Sequence, residues 1–464
     1  MNNIFDPALD KILKKDRELL EKTQLPIVTV STTHTEDLKG FHNLSEIDTT
    51  TDVVLSRAHY SMALAAAVQV WGDKIDPLKA WVVDPTNYVT SKDWYGVKLT
   101  EAIGQILART PILKKLKDLV DKFGRNKLPI LDSITPSLLY LTQNITKPIL
   151  SFHIAAGNIL AAQGKTIYQM ITDPHVRADY LNEAERENVT FLVFDDKTKI
   201  DFLEKAAVLH KKVDPNRVIV TGPPIDPRII LAGRNKKPWR NGPLKLCLTT
   251  GGLGTNKAEI KSILGQLIPE LRKRPSSYQL MVYVGTHRDL AELVTKMAKK
   301  SHLALTEVGS YDPADFELAG KLEPARAYQT VKQKFKNSRL ILIYHPQIID
   351  ANELLIRYAF PWADGFLTKP SGDMAYDAAA SGSFILTLKE WGEWEHNIRE
   401  IFAQKSIARQ SKSNSIVEQL QSLTSAKSRA QSWVEQAMLN AQNIDLLFLE
   451  GTKNIVRTAK KRKL

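Results

Sequence analysis

The stretch "FLTKPSGDMAYDAAASG", Phe366 to Gly382, reads as strand, then turn, then helix. An apolar run reaches Thr368, a Pro-Ser-Gly triplet breaks it, and an alanine-rich segment follows until a glycine. A strand that passes into a helix through so short a turn is the unit of a parallel sheet with crossover helices. The helix carries two acids, Asp373 and Asp377, four residues apart on one face. An acid in the first turn complements the positive end of the helix dipole, which accounts for Asp373. Asp377 lies more than one turn in, where that help fades. Either it is solvated, or something with hydroxyl groups sits over that face.

Working outward, the same alternation of β-branched runs and helical patterns covers most of the chain. In the first half strands are expected at 52–55, 78–84, 148–153, 166–172, 190–194 and 218–221. In the second they fall at 245–249, 279–284, 304–308, 340–344, 365–368 and 384–388. Between the sets runs "GPPIDPRIILAGRNKKPWRNGP", whose proline, glycine and basic content marks a hinge at 226–243. The expected fold is α/β, with two Rossmann-like doubly wound domains facing a cleft, at 51–225 and 244–414. Residues 1–50 fit neither half and read as an extension: an amphipathic helix, a lone strand "PIVTV" and a polar run. Residues 415–464 read as C-terminal helices with a basic tail.

Composition agrees with a multidomain globular protein: 464 residues, 43% hydrophobic and 25% charged. A lone cysteine, Cys247, excludes an internal disulfide and suits a reducing compartment; its setting, "KLCLTT", reads as a buried strand. The first residues lack the apolar core of a secretory signal, and no window offers 18 uncharged apolar residues for a membrane span. The net charge of +13 speaks to partners rather than to fold.

Ligands of doubly wound sheets bind beyond the carboxyl ends of the strands. After 245–249 comes "TGGLGTNKAEI", in which Thr250, Gly251, Gly252, Gly254 and Thr255 open a helix. Its glycines admit close backbone approach, and the helix start offers N–H groups to an anion. A tight turn alone would explain the same residues. The quoted stretch supplies a second such turn, with Ser371, Gly372 and Asp373, and two turns of this kind suit a diphosphate.

These segments, followed by "EWEHN", resemble the donor half of GT-B glycosyltransferases. The likeness is to the group of the peptidoglycan lipid-intermediate N-acetylglucosaminyltransferase and the diacylglycerol galactosyl- and glucosyltransferases. The resemblance implies that the two turns hold a UDP diphosphate and that Asp377, five residues before Gly382, binds the ribose. That acid is usually Glu, one methylene longer. Glu395 and Asn397 would contact the sugar. In the first half "SRAHYSMALAAAVQVWGD" resembles the family's first loop and helix, with His59 where a catalytic histidine stands. The segment "SFHIAAGNILAAQGKTIYQMITDPHVRADY" resembles the next part in order, bringing His153, Asp173 and His175; the two histidines are either cleft residues or core or capping residues. Relatives place glycines before the first histidine, whereas this chain reads "LSRAH"; Arg57 either meets the diphosphate or is an ordinary surface arginine. His34 reads as a loop histidine of no function.

The implied activity is inverting transfer of a hexose or N-acetylhexosamine from a UDP-sugar to a lipid or lipid-linked hydroxyl. His59, or failing it Asp173, is the implied general base. No cofactor or metal is expected, and no Asp-X-Asp motif occurs. Two rivals stay open: a UDP-sugar 2-epimerase-type enzyme and a non-catalytic nucleotide-sugar-binding scaffold. The segment "TPILKKLKDLVDKFGRNK", Thr110 to Lys127, has an apolar face and the cationic remainder Lys114, Lys115, Lys117 and Lys122. That pattern suits an interfacial helix on an anionic membrane, or a helix packed on its own domain. The expected location is therefore cytoplasmic and peripheral to the inner membrane face, with no nucleic-acid partner, since no pattern of nucleic-acid modules is present.

Overall fold

The computed structural model describes residues 7–34, 51–72, 74–109, 129–310, 324–426 and 431–461. The chain divides into two compact units. One comprises residues 1–226 with 450–464, the other residues 227–449.

In the first unit six parallel strands line up as β4-β1-β5-β6-β7-β8. They are β1 (Leu25–Val28), β4 (Ala80–Val83), β5 (Ile149–Ser151), β6 (Ile167–Met170), β7 (Val189–Val193) and β8 (Val218–Val220). β1, β5, β6 and β7 are buried along their whole length. That is why they read as unbroken apolar runs rather than as alternation. The strand "PIVTV", expected to stand apart, is β1 itself, paired on one side with β4 and on the other with β5. Leu25–Val28 therefore belongs to the first sheet rather than to an extension. The preceding helix, Pro7–Lys22, buries Leu9, Leu13 and Leu20 and packs on helix Pro129–Thr142. The strand expected at 52–55 exists as β3 (Val53–Val54), but it pairs antiparallel with β2 (Thr32–Thr33), outside the parallel sheet.

The second unit is a seven-stranded parallel sheet of order β11-β12-β10-β9-β13-β14-β15. Its strands are β9 (Leu244–Thr249), β10 (Tyr278–Tyr283), β11 (Leu305–Val308), β12 (Leu340–Ile343), β13 (Gly365–Thr368), β14 (Phe384–Thr387) and β15 (Ala408–Gln410). β15 escaped the sequence reading because only Ala408 of its three residues is buried, so it carries no apolar pattern. Cys247 is fully buried in β9, and burial pushes its thiol up.

The proline- and lysine-rich run begins at the boundary between the two units and is ordered within the second. It opens with helix Pro227–Arg234, and Arg228 grips Glu353 through two bonds of 2.8 and 2.9 Å. Lys236 is buried and donates to Phe360 O, Ala363 O and Ser383 Oγ at 2.7, 2.6 and 2.6 Å. The C-terminal residues form no body of their own. Helices Ile416–Thr424 and Trp433–Gln442 belong to the second unit, whereas helix Gly451–Lys460 packs on helix Arg57–Trp71 in the first. Gly451 is needed there, since a Cβ would stand 2.1 Å from Pro223 O. The tail through Lys460 is thus a packed helix, with Ile455, Val456 and Ala459 buried. The cationic segment Thr110–Lys127 lies outside the described residues. Among the described residues no helix is long and apolar enough to cross a membrane.

Candidate functional site

In the second unit the first connection leads from β9 towards β10, while β13 lies on the other side of β9. The strand order therefore reverses between β9 and β13, the place where such sheets bind ligands. Both glycine-containing turns lie there. The strand ends are tied directly, Thr249 Oγ1 donating to Thr368 Oγ1 at 2.6 Å.

After β9, Gly254 N–H closes a tight turn on Gly251 O at 2.8 Å, with Gly254 at φ +62°, where a glycine is favoured. Thr250 is buried beside it, its N–H bonded to Tyr283 O. Helix Lys257–Arg272 follows without a side-chain cap from Asn256, whose amide turns instead to Glu259 and Lys389 O. Its first N–H groups thus receive no bond from the capping residue. The Thr255 hydroxyl is buried with no partner among the described residues. A Cβ on Gly251 would stand 2.9 Å from that hydroxyl and 3.1 Å from Lys369 Cδ, which places the two turns against each other. His287, from the loop after β10, donates from Nε2 to Gly252 O at 3.1 Å.

After β13, Ser371 Oγ accepts from Met374 N–H at 3.3 Å and donates to Asp373 Oδ1 at 2.6 Å. Ser371 and Asp373 thus hold the turn together from within. Gly372 lies between them. Helix Met374–Ala380 is buried throughout, and Asp377 on it is 7% exposed. The solvated reading of Asp377 is excluded by that burial.

Glu395 is paired within the protein. Oε1 pairs with Lys369 Nζ at 2.6 Å, and Oε2 accepts from Trp391 N–H at 2.6 Å. Both oxygens have protein partners. Asn397, two residues on in helix Glu393–Gln404, is half-buried. A groove of about 640 Å³ opens elsewhere in this unit, near the ends of β11 and β12, between Arg288, Lys299, Val308 and Tyr344. It is not lined by either turn.

The first unit also reverses its strand order, between β1 and β5. Asp84, at the end of β4, accepts from Ser31 N–H and Oγ, Thr32 N–H, and Thr86 N–H and Oγ1, all at 2.7–3.1 Å. It fixes the loop after β1. His34 sits in that loop, 3.5 Å from Asp52. His34 thus follows β1, at the carboxyl end of the first sheet. His59 stands in the first turn of helix Arg57–Trp71, capped by Ser56. Its Nε2 is 3.2 Å from Thr172 Oγ1, and Tyr180 OH is 3.2 Å from that same hydroxyl. The His59 and His153 rings meet edge to face at 5.1 Å. His153 Nδ1 accepts from Ala155 N–H at 3.2 Å, as the cap of helix Ile154–Ala162. Burial pushes the Tyr180 hydroxyl up, with Arg177 opposing and Asp173 adding to it. Asp173 and His175 are half-buried in the loop after β6. Arg57 is 5% exposed, which removes the surface reading.

Four residues escaped the sequence reading: Lys369, His287, Thr172 and Tyr180. Only Lys369 had a visible signal, a basic residue directly before the Pro-Ser-Gly turn.

No protein-family model matches the chain, and no curated protein sequence does. Among solved structures it is similar to the glycosyltransferase VinC in complex with DTDP, at 12% identity and TM-score 0.44, over 94% of this chain and 99% of that one. It is similar to the UDP-GlcNAc 2-epimerase from Neisseria meningitidis bound to UDP-GlcNAc, at 13% and 0.47, over 94% and 98%. It is also similar to Medicago truncatula UGT71G1 complexed with UDP-glucose, at 10% and 0.46, over 96% and 100%. Likeness at this level extends to neither substrate nor residue roles.

Proposed function

We propose that the chain is a UDP-sugar-dependent glycosyltransferase of the GT-B type, transferring a hexose or N-acetylhexosamine with inversion to a lipid or lipid-linked hydroxyl. One observation carries the reading: two turns distant in sequence meet at the reversal of strand order, with Gly251 against Lys369. The order of the short motifs that resemble those of lipid glycosyltransferases supports it. The uncapped start of helix Lys257–Arg272 and the backbone of Gly251 and Gly252 take the diphosphate. Asp377 takes the ribose hydroxyls, and Asn397 the sugar. His59 removes the acceptor's proton, with Asp173 as the alternative base. The cationic segment Thr110–Lys127 directs the enzyme to an anionic membrane surface.

A second reading, a nucleotide-sugar-binding protein without activity, is favoured by the Glu395 carboxylate being taken up by Lys369 and Trp391 N–H. Incubation with UDP-sugars and lipid acceptors separates the two. The donor site is tested by Asp377→Ala, which should weaken UDP binding by about 1.5–3 kcal/mol through lost charge-assisted bonds. Calorimetry showing unchanged affinity in a folded variant removes Asp377 from the site.

A further inference from the structure

We propose that Lys369 exchanges its Glu395 partner for the diphosphate of the incoming nucleotide, and that this exchange is what frees Glu395 for the sugar contact that the family resemblance implies. The inference rests on the donor-site reading above and adds to it a preference for the sugar nucleotide over the bare diphosphate.

Lys369 directly follows β13, where the strand order reverses, and its stem lies along Gly251. The ion pair with Glu395 is nearly dry, the side chains being 9% and 5% exposed. Desolvating two charges consumes most of what their attraction returns, and apolar groups of similar volume commonly serve stability as well. Packing alone therefore gives no reason for a charged pair here. Ligand exchange does. An ammonium has three donors, and one of them meets Glu395. The indole of Trp391 lies 5.9 Å from Nζ and flanks the cation. A diphosphate beside Gly251 competes with Glu395 for the same ammonium and carries more negative charge. Once Lys369 turns to it, Glu395 keeps the Trp391 N–H on Oε2, while Oε1 is left as a buried acceptor. With a bare nucleoside diphosphate that acceptor costs free energy; with a sugar nucleotide a hydroxyl fills it. The pair thus couples diphosphate capture to recognition of the sugar.

Calorimetry of the full chain with uridine, UDP and UDP-glucose tests this on wild type, Lys369→Met, Lys369→Arg and Glu395→Gln. Lys369→Met should weaken UDP at least about tenfold, the loss expected for a charge-assisted phosphate bond, and leave uridine unchanged; Lys369→Arg should recover part of the loss. Glu395→Gln should tighten UDP by about threefold or more, because Lys369 no longer leaves a partner, and should shrink the preference for UDP-glucose over UDP. A folded Lys369→Met variant that binds UDP like wild type overturns the proposal and leaves the donor-site reading standing. A Glu395→Gln variant weakened equally towards uridine and UDP makes the pair structural and also overturns it. If Lys369→Met does not fold, Glu395→Gln decides alone, since damage does not raise affinity. Wild type that binds none of the three ligands removes the donor-site reading and this inference together.

Discussion

The carboxyl ends of the two sheets are built on opposite principles. In the second unit the turn after β9 presents backbone: glycines, a helix start without a side-chain cap and a buried hydroxyl that has no partner among the described residues. In the first unit the corresponding loops are filled by side chains. Asp84 collects five donors from the loop after β1 and from Thr86, and a histidine, a threonine and a tyrosine close on one another. A helix start left without a cap suits an anion. A packed imidazole suits proton movement at one atom. Parallel sheets with the same kind of reversal thus serve different chemistry through what their loops leave unsatisfied.

The comparison is broken most severely by Asp84→Ala. The Thr86 hydroxyl keeps Thr32 O as an acceptor at 2.7 Å. The other donors are stranded at about 1 kcal/mol or more each, so the variant should lose at least about 3 kcal/mol in the first unit, read by urea unfolding. A loss below 1 kcal/mol would show that the loop is held by other contacts.

Next in size is His59→Ala. A positioned base contributes about 10²–10⁴-fold, so turnover should fall at least a hundredfold while UDP affinity holds. If turnover is unchanged and Asp173→Asn abolishes it, the base is Asp173.

Gly251→Ala sharpens the contrast from the other side. The added methyl would stand 2.9 Å from the Thr255 hydroxyl and 3.1 Å from Lys369 Cδ. Overpacking of this kind typically costs about 1–3 kcal/mol, so UDP affinity should fall about tenfold by calorimetry. Unchanged affinity would mean that the turn is merely tight.

The smallest effect belongs to the far end of the second sheet. Burial pushes the Lys236 ammonium down to about 7, with Asp364 opposing. The folded state then binds fewer protons than the unfolded chain between that value and the ordinary lysine range. The stability of the second unit should therefore rise with pH above 7, by roughly 1 kcal/mol over the first unit of pH, and Lys236→Met should lack that rise. Parallel pH profiles for variant and wild type would assign the dependence to another group.

Much of this was legible in the chain itself. The alternation of strand and helix, the glycine turn at Gly254 and the buried setting of Cys247 follow from local periodicity and backbone preference, which need no distant partner. The order of the strands is another matter. "PIVTV" looked detached, and 52–55 looked like part of the parallel sheet. β1 acquires its place only by pairing with Ala80–Val83 and Ile149–Ser151, far along the chain, while Val53–Val54 pairs backwards with Thr32–Thr33. The site follows the same division. The residue types of both turns were visible, yet the contact of Gly251 with Lys369, the pairing of Lys369 with Glu395 and the capture of His59 by Thr172 were not. Each joins side chains from separate turns or strands, and no spacing within one segment encodes which distant polar group will satisfy a buried one. Local patterns determined the elements, and only the tertiary structure decided their neighbours.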